Sequence, residues 1–198
     1  MRQDAESADG LSTIEGLLGP DARLEERVLS DRAVWRGAIF SAHLLEVAPP
    51  GGRRAAREIV RHHGGAGVCV VRDGRMCLVR QYRVALGRAT LEIPAGKVDG
   101  QEDPAVCAAR ELREETGLVA DNLEFLARSV GSPGFCDEAT SIYIAHGLGE
   151  GERCLDEGEF ADVVWVPLDD VVDAVAAGLI QDSKTIVAAL AAKTRNLG

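Results

Sequence analysis

Apolar and polar residues alternate in short runs over the first half of this chain, and helical spacing appears only later. Residues 26–29, 35–40 and 43–47 each read as strands. Pro49-Pro50-Gly51-Gly52 marks a turn, and residues 57–62 read as a further strand. The apolar runs 67–71 and 76–82 flank Arg72-Asp73-Gly74-Arg75, and an Asp-Gly pair between two such runs predicts a hairpin. Asp103-Pro104 opens a helix. Asp103 can cap it, and Pro104 suits the first helical position, where its missing N–H costs nothing. Ala105, Ala108, Ala109, Leu112 and Thr116 share one face of that helix, and Gly117 suits its C-terminal stop. Further strands are predicted near 125–130, 140–146 and 161–166, and two helices over 170–177 and 184–193, the second capped by Ser183.

Strands before, between and after helices, with hairpins among them, indicate an α/β (α+β) protein. A mixed sheet with helices packed on it fits this order better than a regular doubly wound fold. Residues 1–22 read as a flexible or helical segment, 23–63 as an N-terminal antiparallel strand region and 64–198 as the main domain.

Composition narrows the classes. Of the 198 residues, 46% are apolar but only 4% aromatic, so aliphatic packing carries the core. A net charge of -10 without a basic stripe argues against nucleic acid as a partner, yet not against a small anionic substrate bound through cations. The five cysteines form no C-x-x-C pair and read as reduced thiols rather than a disulfide frame or zinc site. The polar N-terminus lacks a signal-like apolar region, and no run is long enough to span a membrane, so a cytoplasmic location is expected.

Chemistry concentrates between Gly96 and Leu118. Glu111, Glu114 and Glu115 stand at i, i+3 and i+4, so three carboxylates project from one helix face. Such a stripe is self-repelling unless cations sit on it, and hard oxygen donors suit Mg²⁺ or Mn²⁺ with a phosphate substrate. Arg110 can pair with and orient a carboxylate, and Glu102 lies within reach of the same place. A solvated charged face would account for the three glutamates alone. It leaves the spacing of Gly96, Glu102, Arg110, Gly117 and Leu118 unexplained.

That spacing resembles the Nudix box, G-x5-E-x7-R-E-U-x-E-E-x-G-U with U aliphatic, at all nine fixed positions. The resemblance implies an α/β/α sandwich and divalent-metal hydrolysis of a nucleoside diphosphate linked to another group. It implies Glu111 and Glu115 as principal metal ligands, Glu114 as a further ligand, the Ala95 carbonyl as an additional one, and Glu102 as a supporting ligand paired with Arg110. Gln81-Tyr82-Arg83, Leu91-Glu92-Ile93-Pro94-Ala95-Gly96 and Pro133 are similar to the ADP-ribose pyrophosphatase branch, as is residues 178–185. From that branch come further expectations: Glu138 as general base on a mobile loop with Pro133 and Gly134, Glu114 as base if that loop stays open, and Arg83 and Glu92 as substrate residues. Trp35 is expected to stack on a base, Arg57 and Glu58 to lie near it, and a homodimer to form through the N-terminal strands. The expected substrate is ADP-ribose, cleaved to AMP and ribose 5-phosphate. The alternatives are another nucleotide sugar, such as GDP-mannose or ADP-glucose, and a non-catalytic module that senses ADP-ribose.

Overall fold

The computed structural model describes residues 2–155 and 158–197. The chain divides into two compact units, Met1–Arg36 with Ser41–Ile59 and Gly37–Phe40 with Val60–Gly198. In the first, helix α1 (Arg2–Leu18) precedes a three-stranded sheet of β1 (Arg27–Arg36), β2 (Phe40–Ala48) and β3 (Ala55–His62), in that order. The apolar run 35–40 is not a strand: β1 stops at Arg36, the chain turns, and the Gly37 N–H donates to the Phe40 carbonyl at 3.0 Å. Gly37 interrupts the run, and an apolar tally alone does not register that break.

The second unit contains β4 (Gly65–Cys69), β5 (Val71–Arg72), β6 (Arg75–Arg83), β7 (Arg88–Glu92), β8 (Ala95–Lys97), α2 (Pro104–Thr116), β9 (Leu118–Val130), β10 (Ala139–Glu150), β11 (Ala161–Pro167), α3 (Leu168–Ala176) and α4 (Ser183–Thr194). One sheet runs β8-β4-β10-β9 and is mixed, because β4 and β10 are parallel while the other neighbours are antiparallel. A second runs β11-β6-β5, with β7 pairing β6. The Asp73-Gly74 hairpin forms as expected, joining β5 to β6. The longer run before it is divided, since β4 leaves to pair with β10 and only Val71–Arg72 joins the hairpin.

Strand alternation builds the layers. Val68, Cys77, Tyr143 and Ala145 face one way and cluster with Cys107, Ala108 and Leu112 of α2. Their neighbours Cys69, Met76, Leu78, Ile142 and Ile144 face the other way and cluster with Val171 of α3 and Ala188, Ala189 and Ala192 of α4. Period-2 side chains on central strands thus give two cores and an α/β/α sandwich. The buried face of α2 differs from expectation by one position: Cys107 is buried and Ala109 exposed. Complete burial of Leu112 contributes on the order of 2 kcal/mol to holding α2 on the sheet. Asp103 caps α2 by accepting from the Ala105 N–H at 2.8 Å. Gly117 ends it in the left-handed region (φ 75°), donating its N–H to Arg113.

The C-terminal helix is stitched to the end of β7. Asp182, rather than the adjacent Ser183, caps α4, accepting from the Thr185 N–H at 3.0 Å. The Thr185 hydroxyl accepts the Ile93 N–H at 2.8 Å, and Lys184 bonds Glu92 at 2.5 Å. Arg83 grips the same carboxylate from β6 with two bonds of 2.7 Å. All five cysteines are free, and burial pushes the thiols of Cys69, Cys77 and Cys107 up to about 12. Among the described residues no helix is long and apolar enough to cross a membrane.

Glu92 is only 3% exposed. Burial pushes its carboxyl up, but Arg83 first, then Lys184 and Thr90, outweigh this and hold it at about 2. A depressed carboxylate contributes stability that is complete above its unfolded value of about 4.5 and lost as pH falls from there toward 2. Between pH 6 and pH 3, wild-type unfolding free energy in urea should therefore fall by about 2 kcal/mol more than that of Glu92→Gln. Equal losses in the two proteins would show that this carboxylate is not held low.

Candidate active site

The carboxylate face of α2 looks onto β8. Glu115, at 6% exposure, accepts the Ala95 N–H at 2.8 Å. Glu111 lies directly over Gly96, where a Cβ would displace its carboxylate from this position. Burial lifts the Glu115 carboxyl to about 7, helped by the charges of Glu111 and Glu159 and opposed by the Ala95 N–H and Arg83. Burial likewise raises Glu111, against the attraction of Arg110.

Arg110 ties the cluster together. Its Nη1 donates to Glu111 at 2.7 Å and Glu114 at 3.0 Å, while Nε and Nη2 each reach Glu102 at 3.2 Å. Nη2 also donates to the Lys97 carbonyl at 3.2 Å, anchoring the guanidinium to β8. Three carboxylates facing one guanidinium raise the latter's own pKa, with Glu102 the foremost cause. Among the described residues, no three acidic, thiol or imidazole side chains converge at ligating distance. The donor chemistry nonetheless fits a hard divalent cation: clustered carboxylate oxygens, two of them raised by burial and mutual repulsion.

These groups line a cleft of about 440 Å³, which Arg83, Ala95, Lys184, Glu138 and Glu159 also border. The cleft thus brings together Glu111, Glu114, Glu115, Arg110, Ala95, Arg83 and Glu138, while Glu102 is not among its lining residues and meets Arg110 instead. Glu92 is buried behind Arg83 and Lys184, as their shared acceptor. Pro133 and Gly134 are exposed on the loop before Glu138 and are not among the cleft's lining residues. That loop is hydrogen-bonded to the end of β3. The Val60 N–H donates to the Phe135 carbonyl at 2.7 Å, and Asp137 accepts from the His62 N–H at 2.9 Å and from Arg61 at 3.0 Å. A glycine-containing loop reads as mobile in sequence, while a strand end that will hydrogen-bond to it is invisible there. Trp35, Arg57 and Glu58 belong to the N-terminal unit. Trp35 is 51% exposed, Glu58 is exposed, and Arg57 pairs with Glu26.

Two cleft residues escaped the sequence reading. Glu159 is in the acidic stretch before β11, and Lys184 opens α4. An acidic loop looks like solvated surface. Only the Lys-Thr step after the Asp182 cap, adjoining residues already similar to the pyrophosphatase branch, signalled Lys184.

A model of the NUDIX domain matches residues 61–190. A methanol dehydrogenase activator of Bacillus methanolicus is 38% identical over 167 residues, covering 83% of this chain and 90% of the relative. An ADP-ribose pyrophosphatase of Bacillus subtilis (strain 168) is 38% identical over 168 residues, covering 83% of this chain and 91% of the relative. The crystal structure of an ADP compounds hydrolase shares the fold, with a TM-score of 0.77 at 22% identity over 90% of this chain and 99% of that one. With its domain matched over most of its length and its box complete, the chain belongs to the Nudix hydrolase family, as an enzyme like the ADP-ribose pyrophosphatases.

Proposed function

We propose that this enzyme hydrolyses the diphosphate of ADP-ribose to AMP and ribose 5-phosphate, with Mg²⁺ or Mn²⁺ held by Glu111, Glu115, Glu114 and the Ala95 carbonyl. The observation that carries this reading is the buried carboxylate cluster of α2, facing Arg83 and Lys184 across a single cleft. Carboxylates suit cations, and the Arg83 guanidinium, backed by Lys184, suits the phosphates those cations would carry. The identity of a pyrophosphatase relative over most of both chains supports ADP-ribose as the first substrate to test.

A divalent cation at these carboxylates supplies charge neutralisation on the phosphates and acidifies water. The protein's own groups do the rest. Arg110 keeps Glu111 and Glu114 aimed while leaving Glu115 to the Ala95 N–H. Arg83 holds a phosphate oxygen. One water attacks phosphorus in line, the bridging P–O bond breaks, and the bridging oxygen leaves with the other phosphate. The water's proton goes to a carboxylate at the cleft rim. Glu138 and Glu159 both border the cleft, and we assign the role to Glu138. It stands beside His62, 3.8 Å from its ring, with its side chain half exposed, so it can pass the proton on to water. The N-terminal strand region is proposed as the dimerising element, with Trp35, Arg57 and Glu58 serving the nucleotide base.

Turnover should be measured on ADP-ribose, ADP-glucose, GDP-mannose and 8-oxo-dGTP with Mg²⁺ or Mn²⁺, and with EDTA as control. ADP-ribose preferred, with activity abolished by EDTA, is the expected result; preference for another diphosphate would replace the substrate. Glu111→Gln should lower kcat by roughly a hundredfold or more while keeping the wild-type circular dichroism, since it removes a ligand and leaves the core intact. Wild-type turnover in that variant would refute the metal assignment. Glu138→Gln should lower kcat by about a hundredfold and Glu159→Gln by much less. The reverse order would move the proton to Glu159.

A further inference from the structure

We propose that Lys184 is a positioning residue for substrate capture, acting through Glu92 on the guanidinium of Arg83. This rests on reading the cleft as a diphosphate site.

Glu92 is almost fully enclosed, its side chain 4% exposed, and its two oxygens take four donors. Oε1 accepts Arg83 Nε at 2.7 Å and the Thr90 hydroxyl at 2.7 Å. Oε2 accepts Arg83 Nη2 at 2.7 Å and Lys184 Nζ at 2.5 Å. A guanidinium held along its Nε–Nη2 edge has a fixed plane. Among the described residues Nη1 of Arg83 has no hydrogen-bond partner, so that end keeps its donors for an anion in the cleft.

Lys184 balances the charge behind this arrangement. It bonds Asp182 at 2.9 Å as well as Glu92, so two carboxylates face two cations. Without Lys184, one guanidinium would answer both carboxylates beside the place where phosphate must bind. The lysine side chain is only 14% exposed, so water screens this poorly. Removing the ammonium therefore leaves Glu92 under-donated and draws Arg83 further onto it and away from substrate. The helix itself keeps its place by other bonds. Asp182 still caps Thr185, and the Thr185 hydroxyl still takes the Ile93 N–H. Lys184 is thus separable from the docking of α4.

The test is steady-state kinetics of wild type, Lys184→Met, Lys184→Arg, Glu92→Gln and the Lys184→Met/Glu92→Gln double variant, with thermal midpoints. The substrate is whichever diphosphate of the panel wild type turns over. A wild type that turns over none refutes the underlying reading and not this relay alone. Lys184→Met should raise KM roughly tenfold, as for one charge-assisted bond weakened, with a smaller change in kcat. Lys184→Arg should recover most of that loss. Glu92→Gln should raise KM likewise, and in its background Lys184→Met should add little. Unchanged KM in Lys184→Met, or in Glu92→Gln whatever the lysine variant does, overturns the proposal. So does a full additional effect in the double variant, which would make Lys184 a direct substrate contact.

Discussion

A carboxylate that is buried must be given donors, and the Ala95 N–H gives one to Glu115. Much of the site is built to make that bond possible. Ala95 is carried by β8, which pairs with β4 at Gly67, and the β4 core residues pack beneath α2. Gly96, lacking a side chain, leaves the room over the strand that the Glu111 carboxylate fills. Caps at both ends of α2 fix which turn of the helix meets the loop. A shift of one residue in that register would rotate the glutamates by about 100° around the helix axis, away from Ala95.

Charge is organised by the same economy of donors. Arg110 serves three glutamates on the α2 side, and Glu92 serves two cations on the other. Each hub is one residue of minority sign surrounded by the majority sign, which keeps like charges near one another without leaving any of them bare. Among the described residues no buried side-chain nitrogen or oxygen lacks a partner. An acidic protein can thus present a locally balanced surface to a doubly anionic ligand.

What could be read in the sequence follows from where the controlling contacts are. The α2 helix was legible because its cap, its stop and its carboxylate face all lie within one short stretch, and local geometry decides them. The hairpin at Asp73-Gly74 was legible for the same reason. Strand ends were not: β9 and β10 extend well past their apolar centres, because backbone pairing in a long antiparallel ladder continues where side chains are already polar. Asp182 and Ser183 are both cap types, and only the Thr185 N–H chooses between them. Glu159 enters the cleft through the path of the β10–β11 connection, and the Lys184–Glu92 bond joins residues from opposite ends of the domain. Such non-local contacts leave no spacing in the sequence to find.

The parallel pairing of β4 with β10 has a consequence for how the molecule comes to exist. Gly65–Cys69 meets Thr140–Ile144, and everything from Val70 to Ala139, including α2, lies in the loop that this pairing closes. Closure of so long a loop carries an entropic cost before its contacts repay it, and parallel strands offer no tight turn to nucleate them. The caps allow α2 to form early, as a local event. Its glutamates meet Ala95 only once β4 is in place, and β4 is secured by β10. During synthesis, then, the helix that bears the chemistry must wait for a strand made well after it, so a ribosome-bound chain ending before β10 holds the complete Nudix box and no organised site.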